Sequence, residues 1–390
     1  MREQLTEACL PADRDRATLV GRMWVPRVGP TVVCVRGDDV CDLSTIAPTM
    51  SLLLERPDAA TAIRNAEQLP KVATVAAALR NSYYGEAEDA APRFIAPCDL
   101  QAIKASGVTF VSSMLERVIE EQARGDPSKA EAVRKSIVDV IGNNLATIRP
   151  GSLEADRLRS VLIAQDAWSQ YLEVGIGPDA EIFTKSQPLS AVGIGAEVGI
   201  HPASEWNNPE PEIVLAINGA AVAVGATLGN DVNLRDFEGR SALLLGKAKD
   251  NTGSCAIGPL IRLFDDDFDM DDVRRCEITL KVSGPDGFEM TGSSSMDMIS
   301  RDPMELLAQA ISPNHQYPDG LMLFLGTMFA PTQDRFGPGK GFTHAIGDVV
   351  TVATPKLGAL VNRVNHSDKV TPWTFGIASL MTNLHRRGLL

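Results

Sequence analysis

Two glutamates near the middle of the chain have the spacing of a metal site. In the segment NPEPEIVLAINGA, Glu210 and Glu212 are separated by one residue, so in a β-strand both carboxylates lie on one face. Carboxylates that close repel each other unless a cation joins them, and oxygen ligands select hard cations such as Mg²⁺, Mn²⁺ or Ca²⁺. The alternative is a pair of solvent-facing charges on an edge strand that Pro211 protects.

Asp231 is the third candidate ligand, in the segment GNDVNLRDFEG. Asn218-Gly219 predicts a two-residue turn between the strands EIVLAI and AVAVGATLG, which would place Thr227 opposite Glu210. Asp231 then lies four residues beyond that pair, or about 13 Å along an ideal strand. The spacing therefore requires a bend at one of the glycines of the second strand.

The elements that would position these residues form two parts. Residues 1–95 predict a small N-terminal α/β domain, with short strands followed by helices. The polar, proline-containing passage 86–97 indicates the boundary. Residues 96–390 predict a large domain that is helical over 110–170 and mostly β-strand from 190 onward. The expected fold class is α+β.

The charge balance limits the partners. The net charge is −13, from 37 basic and 50 acidic residues, which argues against nucleic acid and against anionic membranes. The N-terminal segment lacks the apolar core of a signal peptide, and the six cysteines contain no CxxC pair. We therefore expect a cytoplasmic protein with reduced thiols.

Several motifs, in this order, resemble the fumarylacetoacetate hydrolase superfamily. An E-x-E strand is followed by N-D-x-x-x-R-D, by a lysine nine residues before Gly-Pro, and by G-T and a closing G-D-V-V segment. The resemblance covers roughly residues 100–365. It implies a large catalytic domain of mixed β-roll or sandwich type with helical lid segments. The matching residues are Glu210, Glu212, Asn230, Asp231, Arg235, Asp236, Lys249, Gly258, Pro259, Gly326 and Thr327.

Three further passages resemble the 2-keto-3-deoxy-pentonate dehydratases of that superfamily, which act on 2-keto-3-deoxy-D-arabinonate or D-xylonate. They are GVTF with Ser113 and Arg117, AEIFTK with Glu181 and Lys185, and AKDNTGSCAIGP. Phe110 departs from the pattern, because a tyrosine is usual there. The resemblance implies a lyase of pentose catabolism that forms 2-oxoglutarate semialdehyde.

The resemblance also implies how the site works. The three carboxylates, Glu210, Glu212 and Asp231, would hold Mg²⁺, or else Mn²⁺ or Ca²⁺, which chelates a 2-oxo sugar acid. A base removes a C3 proton to give a metal-bound enolate, and an acid protonates the C4 hydroxyl as it leaves. Lys249 and Glu181 are the candidates, in either role, and a nearby cation would lower the pKa of Lys249. The expected substrate contacts are Lys185, Thr327, Arg117 and Ser113.

Other interpretations stay open. An acylpyruvate-type C–C hydrolase of the same superfamily would use a histidine–carboxylate pair to aim water, but the segment between Thr109 and Arg117 contains no histidine. A non-catalytic sugar-acid binding protein is the alternative of another class. Glu181 could be an exposed loop carboxylate, and Arg117 could lie on a solvated helix face. The resemblance further implies a homodimer or homotetramer.

Overall fold

The computed structural model describes residues 1–83, 90–141, 148–164 and 168–390, with the backbone alone for 135–141. The strands in these ranges are β1 (Leu19–Val25), β2 (Gly29–Arg36), β3 (Asp39–Asp42), β4 (Lys71–Thr74), β5 (Arg93–Ile95), β6 (Ala102–Ser106), β7 (Ile182–Ser186), β8 (Glu197–Ile200), β9 (Asn207–Asn208), β10 (Pro211–Ile217), β11 (Ala223–Asp231), β12 (Asn233–Leu234), β13 (Cys255–Leu263), β14 (Glu277–Ser283), β15 (Glu289–Ser295), β16 (Leu321–Phe324), β17 (Val349–Thr354) and β18 (Gly358–His366).

The helices precede, interrupt and follow these strands. They are α1 (Met50–Leu54), α2 (Ala59–Asn65), α3 (Val75–Asn81), α4 (Val111–Gln122), α5 (Pro127–Ile141), α6 (Leu153–Ala164), α7 (Gln170–Ile176), α8 (Arg235–Glu238), α9 (Leu245–Lys249), α10 (Met270–Arg274), α11 (Pro303–Ala310) and α12 (Ile377–Arg386). The mixture of helices and sheets confirms the predicted α+β class. No helix of the described ranges is both long and apolar enough to cross a membrane.

Eleven strands form the main sheet, in the order β4-β3-β2-β1-β13-β11-β10-β16-β6-β7, with β5 also paired to β1. The N-terminal strands join the rest through two register pairs of β1 and β13, Leu19 with Arg262 and Val20 with Ile261. Strands from both sides of residue 95 therefore share one sheet. The domain boundary at that residue stays a prediction.

A five-stranded sheet, in the order β15-β14-β17-β18-β8, packs against the main sheet. In β14, Ile278, Leu280 and Val282 are buried and alternate with exposed residues, as expected for a strand with one face on a core. These residues share an apolar cluster with Ile213 and Leu215 of β10. The contact between the two sheets gives the predicted sandwich.

The opposite face of β10 is covered as well. Val214 and Ala216 pack in a second apolar cluster with residues of α1 and α2, such as Leu53 and Ile63. All seven residues of β10 are buried, and the strand pairs with β11 on one side and β16 on the other. A solvent-facing edge strand for the glutamate pair is therefore excluded.

Helices α4 to α7 form a third, smaller apolar cluster that includes Met114, Val118 and Tyr171. We call these four helices the helical cap. The sequence predicts helices over 111–125 and 127–144, and α4 and α5 confirm both within the described residues. Pro127 opens α5, where its missing N–H costs no helical hydrogen bond.

Candidate metal centre and active site

The hairpin between β10 and β11 brings Asp231 to the glutamates, and its register shifts between Ala216 and Ile217, beside Gly225, one of the glycines at which the sequence predicts a bend. Pro211 pairs with Asn230, and Val214, rather than Glu210, pairs with Thr227. The backbone N–H of Asp231 donates to the carbonyl of Glu210 at 3.0 Å. The predicted register is therefore wrong by four residues.

A longer connecting loop and the register shift beside Gly225 together explain this error. The chain does not turn at Asn218-Gly219 alone, because the N–H of Asn218 donates to the carbonyl of Val222 at 3.0 Å. The Asn218 side chain accepts hydrogen bonds from the N–H groups of Ala220 and Val222, at 3.1 and 2.9 Å. Asparagine in this role closes a wider loop than the two-residue turn that the dipeptide predicts.

The three predicted ligands converge. Glu210, Glu212 and Asp231 are buried, and each offers an oxygen within 4.8 Å of the others. Burial, followed by the Asp231 and Glu210 carboxylates, raises the pKa of Glu212 well above its usual value. Crowded carboxylate oxygens without histidine or cysteine are a donor set that suits a hard divalent cation, so the residues fit the implied metal.

Three basic side chains surround these carboxylates. Lys249 Nζ lies 2.6 Å from Glu210 Oε2 and 3.1 Å from Asp231 Oδ2. Lys185 Nζ lies 2.7 Å from Asp231 Oδ1, and the guanidinium of Arg117 bonds Glu210 Oε1. Two of the three candidate metal ligands, Glu210 and Asp231, are therefore paired with positively charged side chains.

Glu212 is held differently, by neutral donors. The N–H of Gly326 donates to Oε2 at 2.7 Å and the Thr327 hydroxyl to Oε1 at 3.2 Å. Gly326 has φ +101, and a Cβ there would lie 1.9 Å from Thr109 Oγ1. Glycine is therefore required at 326, both for its backbone conformation and for the space beside Thr109.

Neighbours of opposite charge keep both Glu210 and Lys249 ionised. Burial opposes ionisation of Glu210, but Arg117 and Lys249 hold its pKa at about 2. Burial also disfavours the charged form of Lys249, but Asp231 and Glu210 outweigh it and raise its pKa. The lowered pKa that is expected for Lys249 from the sequence assumes a neighbouring cation. In the structure, Lys249 is in direct contact with two carboxylates.

Glu181 lies immediately before β7 and is half-buried. Burial first, and then the charge of Glu238, raises its pKa to about 7. A Cβ on Gly107 would lie 1.8 Å from Glu181 Oε2, so the glycine makes room for this carboxyl group. The charge of Glu181 interacts with those of Lys249, Arg117 and Glu210. Glu181 therefore belongs to the same group of charged residues as the candidate metal ligands.

The four expected substrate contacts are engaged by the protein itself. Ser113 Oγ donates to the carbonyl of Thr327 at 2.9 Å, and Thr327 contacts Glu212. Lys185 is fully buried, donating to the carbonyls of Val232, at 3.2 Å, and of Lys249. Their substrate-binding roles stay predictions, as does that of Arg117, which is buried rather than on a solvated helix face.

Some residues of the site were not assigned from the sequence. Glu120 Oε2 lies 2.6 Å and Glu238 Oε2 3.3 Å from Arg117 Nη1, and Arg235 Nε lies 3.3 Å from Glu120 Oε1. Arg235 and Glu120 belong to segments that the resemblance includes. Glu238 follows Arg235 by three residues on α8, and no sequence signal distinguishes it from a surface glutamate.

A buried histidine–carboxylate pair lies in the segment before β17. His344 Nδ1 is 2.9 Å from Asp348 Oδ2, and Arg335 Nη1 lies 2.6 Å from the same oxygen. The backbone N–H of His344 donates to the Asn207 side chain at 3.3 Å. These contacts join the segment before β17 to β9 rather than to Lys249 or the three carboxylates.

Comparison with known sequences shows the family. The family model described as fumarylacetoacetate (FAA) hydrolase C-terminal matches residues 171–365, which is half of the 390-residue chain. The matched segment includes Glu181, all three carboxylates and Lys249. The chain therefore belongs to the fumarylacetoacetate hydrolase family.

Two curated relatives are each similar over about half of the chain. The 2-dehydro-3-deoxy-D-arabinonate dehydratase of Saccharolobus solfataricus is 31% identical over 191 residues, 49% of this chain and 60% of that protein. The probable 2-keto-3-deoxyxylonate dehydratase of Haloferax volcanii is 27% identical over 194 residues, 50% of this chain and 63% of the relative. The matches thus span less than two thirds of either relative.

Solved structures support the fold over a longer range. A 2-keto-3-deoxy-D-arabinonate dehydratase complexed with magnesium and 2,5-dioxopentanoate superposes with a TM-score of 0.60, covering 89% of this chain and 99% of that chain. The sequence identity is 21%. At this identity the similarity establishes the architecture, which agrees with the predicted fold.

Proposed function

We propose that this chain is a metal-dependent hydro-lyase that dehydrates a 2-keto-3-deoxy-pentonate to 2-oxoglutarate semialdehyde. The observation that carries the proposal is the convergence of Glu210, Glu212 and Asp231 within 4.8 Å, beside a half-buried Glu181 with a pKa of about 7. Both curated relatives carry the name of a dehydratase of this substrate class.

Glu210, Glu212 and Asp231 would hold the metal, with Mg²⁺ as the first choice among hard cations. Such an ion supplies Lewis acidity, which polarises the keto group of a 2-oxo acid. The protein supplies the remaining chemistry. Lys249, charged and in contact with two of the ligands, stabilises negative charge that develops on the keto oxygen. Lys185 fixes the orientation of Asp231 through Oδ1.

Glu181 carries the proton. In its ionised form it removes a proton from C3, which is acidic because it lies alpha to the ketone. In its protonated form it returns that proton to the C4 hydroxyl, so that the C4–O bond breaks and water leaves. The C3–C4 double bond then shifts to C4–C5, as C5 loses a proton and C3 gains one, which gives an enol. The enol becomes the aldehyde when its hydroxyl loses a proton and C4 gains one. A pKa of about 7 is close to the optimum for both transfers at neutral pH.

The product identifies the reaction. The purified chain is incubated with Mg²⁺ and either 2-keto-3-deoxy-D-arabinonate or 2-keto-3-deoxy-D-xylonate, and the aldehyde is measured by mass spectrometry of its hydrazone. We expect the semialdehyde from at least one of them, and none after treatment with EDTA until Mg²⁺ is returned. Full activity after complete removal of metal would contradict the metal-dependent mechanism.

Controls distinguish the other interpretations. Pyruvate released from an acylpyruvate, with no semialdehyde from either pentonate, would make the chain a C–C hydrolase. Binding of the sugar acid without turnover would make it a binding protein. Glu212→Gln is expected to abolish turnover, whereas Glu205→Gln, a matched change at an exposed residue, should leave it unchanged.

A further inference from the structure

Helix α4 reaches two of the three candidate metal ligands. Ser113 and Arg117 are four residues apart and so lie on the same face of the helix. Ser113 Oγ donates to the carbonyl of Thr327 at 2.9 Å, and the Thr327 hydroxyl donates to Glu212 at 3.2 Å. The Arg117 guanidinium bonds Glu210 directly. One face of a cap helix therefore supports both glutamates.

Arg117 is itself fixed by carboxylates other than Glu210. Its Nη1 lies 2.6 Å from Glu120 Oε2 and 3.3 Å from Glu238 Oε2. Glu120 is in turn 3.3 Å from Arg235 Nε. The guanidinium thus bridges three carboxylates on separate elements, which its planar fork permits and a lysine ammonium cannot reproduce with the same geometry.

The two oxygens of Glu210 have different neighbours. Arg117 bonds Oε1, whereas Oε2 faces Lys249 Nζ, which also contacts Asp231. The Arg117 bond therefore leaves Oε2 on the side of the other ligands. Because Arg117 is buried among its carboxylate partners, this arrangement favours an action on Glu210 over direct contact with substrate.

We propose that Arg117 is a positioning residue for the metal: it orients Glu210 and ties helix α4 to the ligand set. The inference rests on the metal site of the proposed function and is independent of which reaction follows. Residues that orient metal ligands in this way typically contribute roughly 10–100-fold to metal affinity. The coupling should therefore be measurable without any substrate.

The test compares two arginine-to-lysine changes that keep the net charge. Arg117→Lys removes the bridge to Glu210. Arg134→Lys is the matched control, because Arg134 of α5 also holds α4, through hydrogen bonds of 3.2 and 2.9 Å to Glu116, but does not contact a ligand. Binding of Mg²⁺ and Mn²⁺ to the EDTA-treated full chain is measured by calorimetry, and amide hydrogen exchange of residues 111–122 is followed with and without metal.

For Arg117→Lys we expect metal affinity to fall about 10–100-fold and the metal-induced protection of residues 111–122 to disappear. For Arg134→Lys we expect affinity within about 2-fold of wild type, even if exchange in α4 is faster, since only packing of the cap changes. Equal metal affinities in the two variants would overturn the inference while leaving the proposed function intact. A wild-type chain that binds no divalent metal would overturn both.

A second, milder variant keeps the inference testable if Arg117→Lys does not fold. Glu120→Asp keeps the charge but shortens the side chain that holds Arg117 at 2.6 Å. We expect an intermediate loss of metal affinity, roughly 3–10-fold, with thermal stability close to that of Arg134→Lys. An unchanged metal affinity in a stably folded Glu120→Asp variant would contradict the inference that Arg117, held by its carboxylate partners, positions Glu210.

Discussion

The main sheet and the helical cap contribute to the site by different physical means. Strands β10 and β11 are buried on both faces, and their register alone places Asp231 beside Glu210. The cap has a small apolar cluster of its own and reaches the ligands through polar contacts of Ser113 and Arg117. The sheet therefore fixes where the ligands are, whereas the cap adjusts how their oxygens point.

If the reacting groups are those held by the main sheet, Glu181→Gln should lower kcat more than Lys249→Met or Gly107→Ala. Loss of the proton carrier should lower kcat by about 10²–10⁴-fold with little change in thermal stability. Because the ionised form removes the C3 proton and the pKa is about 7, wild-type kcat should rise with pH through that value. Asp179→Asn, an exposed change two residues away, is the control; a rate that falls above pH 7 would make Glu181 an acid only.

Lys249→Met should come next, with kcat lowered by about 10²–10³-fold, because the charge beside the developing enolate is lost. Folding and metal binding should stay near normal. Lys247→Met changes an exposed lysine of the same helix and should have no effect on turnover. Wild-type rates in Lys249→Met would remove Lys249 from the chemistry altogether.

Gly107→Ala tests the position of Glu181 without changing its chemistry. The added Cβ would come within 1.8 Å of Glu181 Oε2, and the flexible carboxyl end must move away. We expect kcat to fall about 10-fold, since a misplacement of this size disturbs proton transfer, while the melting temperature changes little. Gly246→Ala, where a Cβ meets nothing within 4 Å, should leave kcat unchanged; equal rates in both variants would contradict the assigned role of the Glu181 carboxyl.

The smallest expected effects concern stability, and they compare the main sheet with the helical cap directly. Val33 of β2 and Val118 of α4 are both fully buried, and each Val→Ala change removes apolar contacts that stabilise by about 2 kcal/mol. We expect Val33→Ala to lower the free energy of global unfolding by that amount. Val118→Ala should instead accelerate hydrogen exchange in residues 111–122 by roughly 30-fold, with a smaller change in global stability. Identical global losses would mean that the cap unfolds together with the sheets.

The strands and the candidate metal ligands could be predicted from the sequence. The register in which the strands pair could not. Alternating apolar residues predict β14, and the E-x-E spacing predicts two carboxylates on one face, both of which depend only on neighbouring residues. The register of β10 and β11 depends on the loop, where the Asn218 side chain bonds Ala220 and Val222. The dipeptide Asn218-Gly219 does not encode that longer loop.

Contacts between distant segments were less predictable still. The bridge that Arg117 makes to Glu120, Glu210 and Glu238 joins α4, the residue before β10, and α8. The sequence singles out Arg117 and Glu210 but gives no sign that they contact each other or Glu238. The oligomeric state and the cytoplasmic location stay predictions, because neither follows from contacts within one chain.

The pairing of β1 with β13 has a consequence for how the chain can be divided. β13 is paired with β11 on its other side, and its residues are all buried. A fragment that starts at residue 96 would expose the backbone N–H and C=O groups of β13 where Ile261 and Arg262 pair with β1, which invites pairing with another chain. We therefore expect residues 1–95 and 96–390, when expressed as separate fragments, to associate with each other or to aggregate.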